Sequence, residues 1–269
     1  MSQFSAAFRW HLRRERGRML GFGVAAAIFV AVVIAFSNSV RPSDLQELLE
    51  KLPEALRTLI GLREGELFDV SRWAGVIHDH PVWLTLILSY PLVAGLRGVA
   101  GGVDDGTLEV VLAQPLSRRA YYSSLVAVVA LGVTVVLGLS LAGGLIARAL
   151  IDLPGDLPLS TLIVLSTSGW ALAMAVAGIA LLSSVVGAGG GRPVLMAVGT
   201  VLVMYFLRFL ATMIPAVSWI DSVSVFGYHD TRELVAQGLS AAHLLALLVV
   251  WLGAVVAGFL IFRRKQLTF

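Results

Sequence analysis

Residues able to do chemistry are few in this chain, and they are scattered. His78-Asp79-His80 alternates imidazole and carboxylate just before Pro81. That pattern can ligate a metal, but no third cluster accompanies it, and a loop cap before the proline is the ordinary reading. Tyr228-His229-Asp230 is no stronger. Ser166-Thr167-Ser168 offers hydroxyls for nucleophilic attack without a partner base, and such hydroxyls commonly bond to helix carbonyls inside membranes. Gly187–Gly191 followed by Arg192-Pro193 is a tight turn and not a phosphate loop, since no Lys-Ser or Lys-Thr follows. With no cysteine in the chain, thiol chemistry and cysteine-ligated metals are excluded. The residues therefore supply no catalytic set and no metal set.

The elements that carry these residues are apolar. The chain is 58% hydrophobic and 14% charged, against roughly half and a quarter in soluble domains. Apolar runs at 19–36, 82–100, 123–147, 160–186, 194–214 and 241–262 each approach or exceed the ~20 residues that cross ~30 Å of hydrocarbon. The sequence thus predicts an all-α membrane protein with six transmembrane helices, forming one transmembrane domain over 1–269. The first run lacks a small-residue cleavage site and reads as an uncleaved span.

Six spans place both termini on one side. That side carries twelve Lys and Arg against four acids, and the other seven against thirteen. The basic bias predicts cytoplasmic termini in a multi-pass protein of the cell (plasma) membrane. The excess of positive charge is therefore a topology signal, with no nucleic-acid partner implied.

Four segments interrupt the spans. Residues 1–18 interleave Arg9, Arg13, Arg14, Arg16 and Arg18 with Phe4, Phe8, Trp10 and Leu12, which reads as an amphipathic helix lying on an anionic leaflet. Residues 37–81 form an external helical loop. There Ser43 and Gln46 make a capping box, and Leu45 to Ile60 recur at helical spacing. Leu67–Ile77, with Phe68 and Trp73, adds a second piece. This loop is either a lid packed on the bundle or a surface guiding substrate out of the membrane. Residues 215–240, rich in aromatics, are expected to fold back between the last two spans.

The fourth segment, 101–122, is the longest polar interruption on the cytoplasmic side. Asp104 and Asp105 can cap a short helix from Thr107 to Gln114, with Glu109 near its positive end. Leu108, Val111 and Leu112 form one face, which can seat in a groove of a cytoplasmic partner. Pro115 ends this helix, Ser117 is placed to cap the next, and Arg118 and Arg119 sit at membrane re-entry. Within the fifth span, Arg208 is tolerated because eleven Val, Leu, Ile and Phe residues contribute roughly −3 to −7 kcal/mol against about +3 for the Arg. It snorkels outward, pairs with Asp221, or anchors an anionic substrate or lipid headgroup.

No span carries Asp, Glu or His away from its ends, whereas ion-coupled carriers usually need one. Energy for uphill transport must then come from another polypeptide docked on the cytoplasmic side. A non-transporting membrane scaffold that recruits a cytoplasmic protein uses the same dock.

The stretch GVDDGTLEVVLAQPLSRRAYY resembles the cytoplasmic loop of type-2 ATP-binding-cassette exporter permeases, through Asp104, Asp105, Gly106, Thr107, Leu108, Glu109, Gln114, Pro115, Ser117 and Arg118. The basic arm resembles that family's elbow helix (Phe8, Arg9, Trp10, Arg13, Arg14), the 215–240 segment its re-entrant element, and Arg263-Arg264-Lys265 its basic end. Family members often carry Gly-Lys after the loop motif, where Ser123-Ser124 stands here. The resemblance implies a non-catalytic subunit, paired with a second permease and with a separate nucleotide-binding ATPase that holds ATP and Mg. That ATPase would touch Asp104, Asp105, Thr107, Leu108, Glu109, Leu112, Gln114 and Arg118. The chain shows no polar cavity signature beyond Arg208, which points to a hydrophobic or amphipathic cargo. Trp83, Tyr90 and Trp170 are candidates to line a cavity between the two permeases, and Arg208, with Trp170 and Tyr90, to contact substrate or lipid.

Overall fold

The computed structural model describes residues 2–36, 70–153, 155–188 and 192–265. Six helices among them are long and apolar enough to cross a membrane, as the apolar runs predict. In chain order these are α1 (Gln3–Phe36), the span Pro81–Asp104 that begins with α3 (Pro81–Leu96), α5 (Arg118–Leu150), α6 (Leu159–Gly187), α7 (Pro193–Met213) and α9 (Ala241–Arg264). Three shorter helices are α2 (Val70–Asp79), α4 (Thr107–Leu112) and α8 (Thr231–Gln237). The expected helix over Leu45–Ile60 lies outside the described residues.

The first departure from expectation is the N-terminal arm. It does not lie apart as an interfacial element: α1 runs unbroken for 34 residues, through residue 18 and on to Phe36. The reason is a single buried stripe, Ala7, His11, Glu15, Met19, Gly23, Ala26, Val30 and Ile34. Its three- and four-residue spacing keeps one face of a straight helix toward the bundle. That face packs along α5, which is 33 residues long and runs parallel to it. Approach is tight at Gly143, where any side chain would strike the Ala27 carbonyl oxygen. At about 1.5 Å per residue the pair extends some 20 Å beyond the hydrocarbon.

α6 is the hub, packed by α3, α5, α7 and α9. Its small residues allow this. Gly169 receives the Trp83 ring, Ala180 abuts Gly95, and Gly178 meets the α9 backbone at Trp251. These small residues thus serve packing inside the bundle. α7 and α9 lie at the periphery, with most of their apolar side chains outside the bundle.

The two ends of the bundle are chemically distinct. One, the terminal face, gathers the start of α1, the 101–122 loop and the end of α9. The opposite face gathers α2, α8 and the 3-10 segments Pro215–Val223 and Val225–Tyr228. There the Ser224 hydroxyl bonds to the Met204 carbonyl (2.7 Å), nine residues back along α7, so the segment folds back about 14 Å. Of the 37–81 loop, the described helix α2 packs on the bundle: Ala74, Ile77 and His78 are buried, and the Trp73 indole donates to the Val33 carbonyl (3.2 Å).

Candidate functional site

On the terminal face, the 101–122 loop is built by local chemistry and then tied down by distant residues. α3 does not end cleanly; it passes through a π-helical turn, Arg97–Gly101, into the short piece Gly102–Asp104. Such a turn leaves backbone groups without their helical partners. Ser184 of α6 takes them up, accepting from the Val99 and Ala100 N–H groups (3.2 and 2.9 Å) and donating to the Leu96 carbonyl (2.8 Å). Gly106, at φ 71°, then makes a left-handed turn that favours glycine. Asp105 Oδ1 accepts from the Thr107 N–H (3.0 Å). The Thr107 side chain, and after it this N–H, holds the Asp105 carboxyl below the usual carboxylate range.

α4 spans six residues, and Ser117 caps α5 through the Ala120 N–H (3.2 Å) as its position predicts. The Gln3 side chain reaches across from α1, donating to the Pro115 carbonyl (2.7 Å) and accepting from the Ser117 N–H (3.2 Å). Arg14 faces Asp105 at 3.8 Å and lies over the Trp10 ring. Arg118 donates to the carbonyls of Phe262 and Lys265 at the end of α9, and Lys265 in turn donates to three carbonyls at the end of α6. Through these bonds the loop is linked to α1, α3, α5, α6 and α9 together.

The face that α4 turns outward differs from the expected one. Leu108 is fully buried, and Val111 and Leu112 are half-buried against the core. Exposed instead are Asp104, Asp105, Glu109, Val110, Ala113 and Gln114, with Val110 63% exposed. An apolar stripe beside a membrane bundle can be satisfied by the bundle itself, which the sequence pattern does not distinguish from a partner's groove.

On the opposite face, two histidines 151 residues apart come together. His78 and His229 flank the buried Trp83 ring at 4.6 and 6.0 Å. The Trp83 indole donates to Ser140 Oγ (3.0 Å), and His229 Nδ1 meets Ser168 Oγ (2.8 Å). Burial pushes both imidazoles down to about 4, so each is neutral near pH 7. Ser168 thus gains a basic partner that its own sequence neighbourhood lacks. His229 Nε2, however, faces the His78 carbonyl and not a carboxylate (3.4 Å), and both residues are sealed from solvent. His80 caps α3 through the Val82 N–H (3.2 Å), the loop-cap role read beside Pro81.

Arg208 bonds to both Asp221 and Asp230, the latter at 2.7 Å. Burial raises the Asp230 carboxyl, but the Arg208 hydrogen bond and the N–H groups of Glu233 and Arg232 outweigh it and hold the group low. The pairing with Asp221 was legible in the sequence; the second carboxylate was not. Desolvation also pushes the Asp79 carboxyl up, to about 6, against the Thr231 hydrogen bond (2.8 Å) and the Arg208 charge. Its exposed surface lets water weaken that shift.

Taken whole, the chain is a six-span bundle with a bonded loop at one end and a sealed polar plug at the other. A protein-family model described as multidrug efflux system permease Rv1217c, C-terminal domain, matches residues 4–263. The chain belongs to this family. No curated protein and no solved structure matches it. The efflux permease is a transmembrane transport protein, in keeping with the resemblance carried by the loop motif.

Of the permease's remaining candidate residues, Tyr90 is completely buried, and Trp170 is half-buried with its indole on Thr134 Oγ1 (3.1 Å). Phe8 and Trp10 are half-buried along α1, and Arg9 and Arg13 lie on its exposed side. Sequence reasoning missed Gln3, Glu15, Ser184 and Val110, and gave Lys265 no bonding role. Gln3 and Glu15 follow from the placement of α1 along α5, Ser184 and Lys265 from the packing of α6 against the α3 turn and α9, and Val110 from the rotation of α4.

Proposed function

We propose that this permease is the membrane subunit of an ATP-driven exporter, with ATP and Mg held by a separate nucleotide-binding subunit docked on the 101–122 loop. Two permeases pair across the membrane, both termini lie in the cytoplasm, and the cargo is hydrophobic or amphipathic. The observation that carries this reading is the bonding of the loop to α1, α3, α5, α6 and α9. A push on α4 is delivered to five spans at once, which suits an element that converts a partner's movement into a change of the bundle. The docking surface is the acidic and polar face of Asp104, Asp105, Glu109, Val110 and Gln114. Leu108 and Leu112 support that face from within.

The test is co-purification of the permease with its ATPase, comparing the native chain with Glu109→Arg plus Val110→Asp. Both positions are exposed, so the fold survives, and loss of the ATPase or of cargo-stimulated turnover is expected. An unchanged complex, or no ATPase at all, sinks this docking assignment and favours a recruiting scaffold.

A further inference from the structure

Three helices meet at a place where buried polar atoms lack partners. Glu15 of α1 is 6% exposed and Tyr90 of α3 is fully buried, yet Glu15 Oε2 and the Tyr90 hydroxyl make no hydrogen bond. The other Glu15 oxygen accepts from Arg18, one turn along α1. Tyr90 lies within electrostatic reach of both Glu15 and Arg18. Its hydroxyl sits against Gly132 of α5, where any side chain would overlap the phenol. Leaving a carboxylate oxygen buried and unpaired is costly, and the cost is removed only by a donor.

The chemistry of that donor is constrained. A carboxylate accepts only, so a neutral acceptor cannot satisfy it and an anion is repelled. A protonated amine carries several N–H donors and a positive charge, and can serve Oε2 and the phenol oxygen together. Arg18 is the exposed member of the group, its side chain about a third accessible against 8% for Glu15. Phe22, half-buried, follows Arg18 by four residues on the same face of α1. It offers an apolar and cation-favouring surface to whatever arrives beside Arg18.

We propose that Glu15 and Tyr90 form a binding station for the protonated amine of an amphipathic cargo, and that Arg18 is a tethered competitor holding the station when cargo is absent. This deepens the efflux reading by naming a cargo class, and it rests on that reading's transport of amphipathic molecules and not on the ATPase dock. A water bridging the same atoms is the alternative occupant. It predicts no discrimination between an amine and its neutral analogue.

The experiment is equilibrium binding of dansylcadaverine, a primary amine with an apolar body, and of its N-acetylated neutral form. The full-length permease is used in lipid nanodiscs with whatever subunits accompany it. Glu15→Gln should weaken amine binding by roughly tenfold, the scale of one lost charge-assisted hydrogen bond. Arg18→Gln should tighten it by about three- to tenfold, as removal of an occupant that leaves only part of the population competent would. Tyr90→Phe should weaken it by a smaller factor, and the acetylated probe should respond to none of these changes. Shifts of Glu15→Gln and Arg18→Gln in the same direction, no shift in either, or equal binding of both probes each overturn the proposal. Should Glu15→Gln fail to fold, Arg18→Gln decides alone, since tightening supports the competitor and anything else refutes it. The outcome is independent of ATPase co-purification, so failure here leaves the docking assignment standing on its own test.

Discussion

Arg208 shows what a single charge inside a span can be for. Its guanidinium is held by two carboxylates from the folded-back segment, Asp221 and Asp230. Asp230 also accepts from the backbone N–H groups of Arg232 and Glu233, so it caps α8 while it pairs. Arg208 therefore fastens α7 to the segment that follows it, and its anchoring of an anionic substrate is not needed to explain its presence. Breaking one side of a partly buried ion pair strands the other side. Arg208→Gln is expected to destabilise the permease by about 3 kcal/mol, read as a lower thermal unfolding midpoint in detergent. Adding Asp230→Asn should recover part of the loss, because it removes one of the stranded charges.

At the scale of elements, the π-helical turn Arg97–Gly101 sets the direction in which α4 faces. One extra residue in a turn rotates everything after it by about 100° relative to a regular helix. Ser184 is what stabilises the turn, through two accepted bonds and one donated bond. Ser184→Ala should cost about 1–3 kcal/mol and let the turn relax toward regular helix, turning Val110 away from its exposed position. The absence of cysteine makes the check direct. In detergent-purified protein, a Val110→Cys chain should label readily with a maleimide, and labelling should slow when Ser184→Ala is added. Equal labelling rates would mean that the turn holds without Ser184.

For the molecule as a whole, the plug around Trp83 makes stability depend on pH. His78 and His229 have folded pKa values of about 4 against an unfolded value of 6.5. As pH falls below 6.5 the unfolded chain takes up two protons that the folded chain refuses, so stability present above 6.5 is lost progressively toward pH 4. Asp79 works the other way: its raised folded pKa, about 6 against 3.8, favours the folded chain as pH falls below 6. That shift is weakened by exposure, and two histidines outweigh one carboxyl. A loss on the order of 1.4 kcal/mol per pH unit for each net proton is expected between pH 6.5 and 4. Thermal unfolding midpoints across that range check it, and His229→Gln should flatten the slope. A midpoint that is constant or rises on acidification would contradict the buried, neutral assignment of the two rings.

Legibility in the sequence followed the range of the interaction. The six spans were readable because crossing hydrocarbon is a local requirement on length and apolarity. The Ser117 cap and the Pro115 stop were readable because each acts on backbone within three residues. The expected capping of α4 by Asp104 and Asp105 is not what forms: Gly106 takes the N-cap position, Asp104 ends the preceding piece, and Asp105 accepts from the Thr107 N–H across the turn. The family resemblance was readable for the same reason, since its motif is one continuous stretch.

What the tertiary structure alone decided is which apolar face meets protein. In a membrane, lipid and protein interior are equally apolar, so hydropathy cannot tell a buried stripe from an outward one. This is why α1 continues through its basic arm along α5, why Leu108 turns inward while Val110 turns out, and why α6 is buried while α7 and α9 lie outside. The pairing of His78 with His229 and of Ser184 with the α3 turn, and the approach of Glu15 to Tyr90, likewise belong to the folded chain. Each joins residues whose sequence positions carry no record of one another, brought together by the packing of long helices.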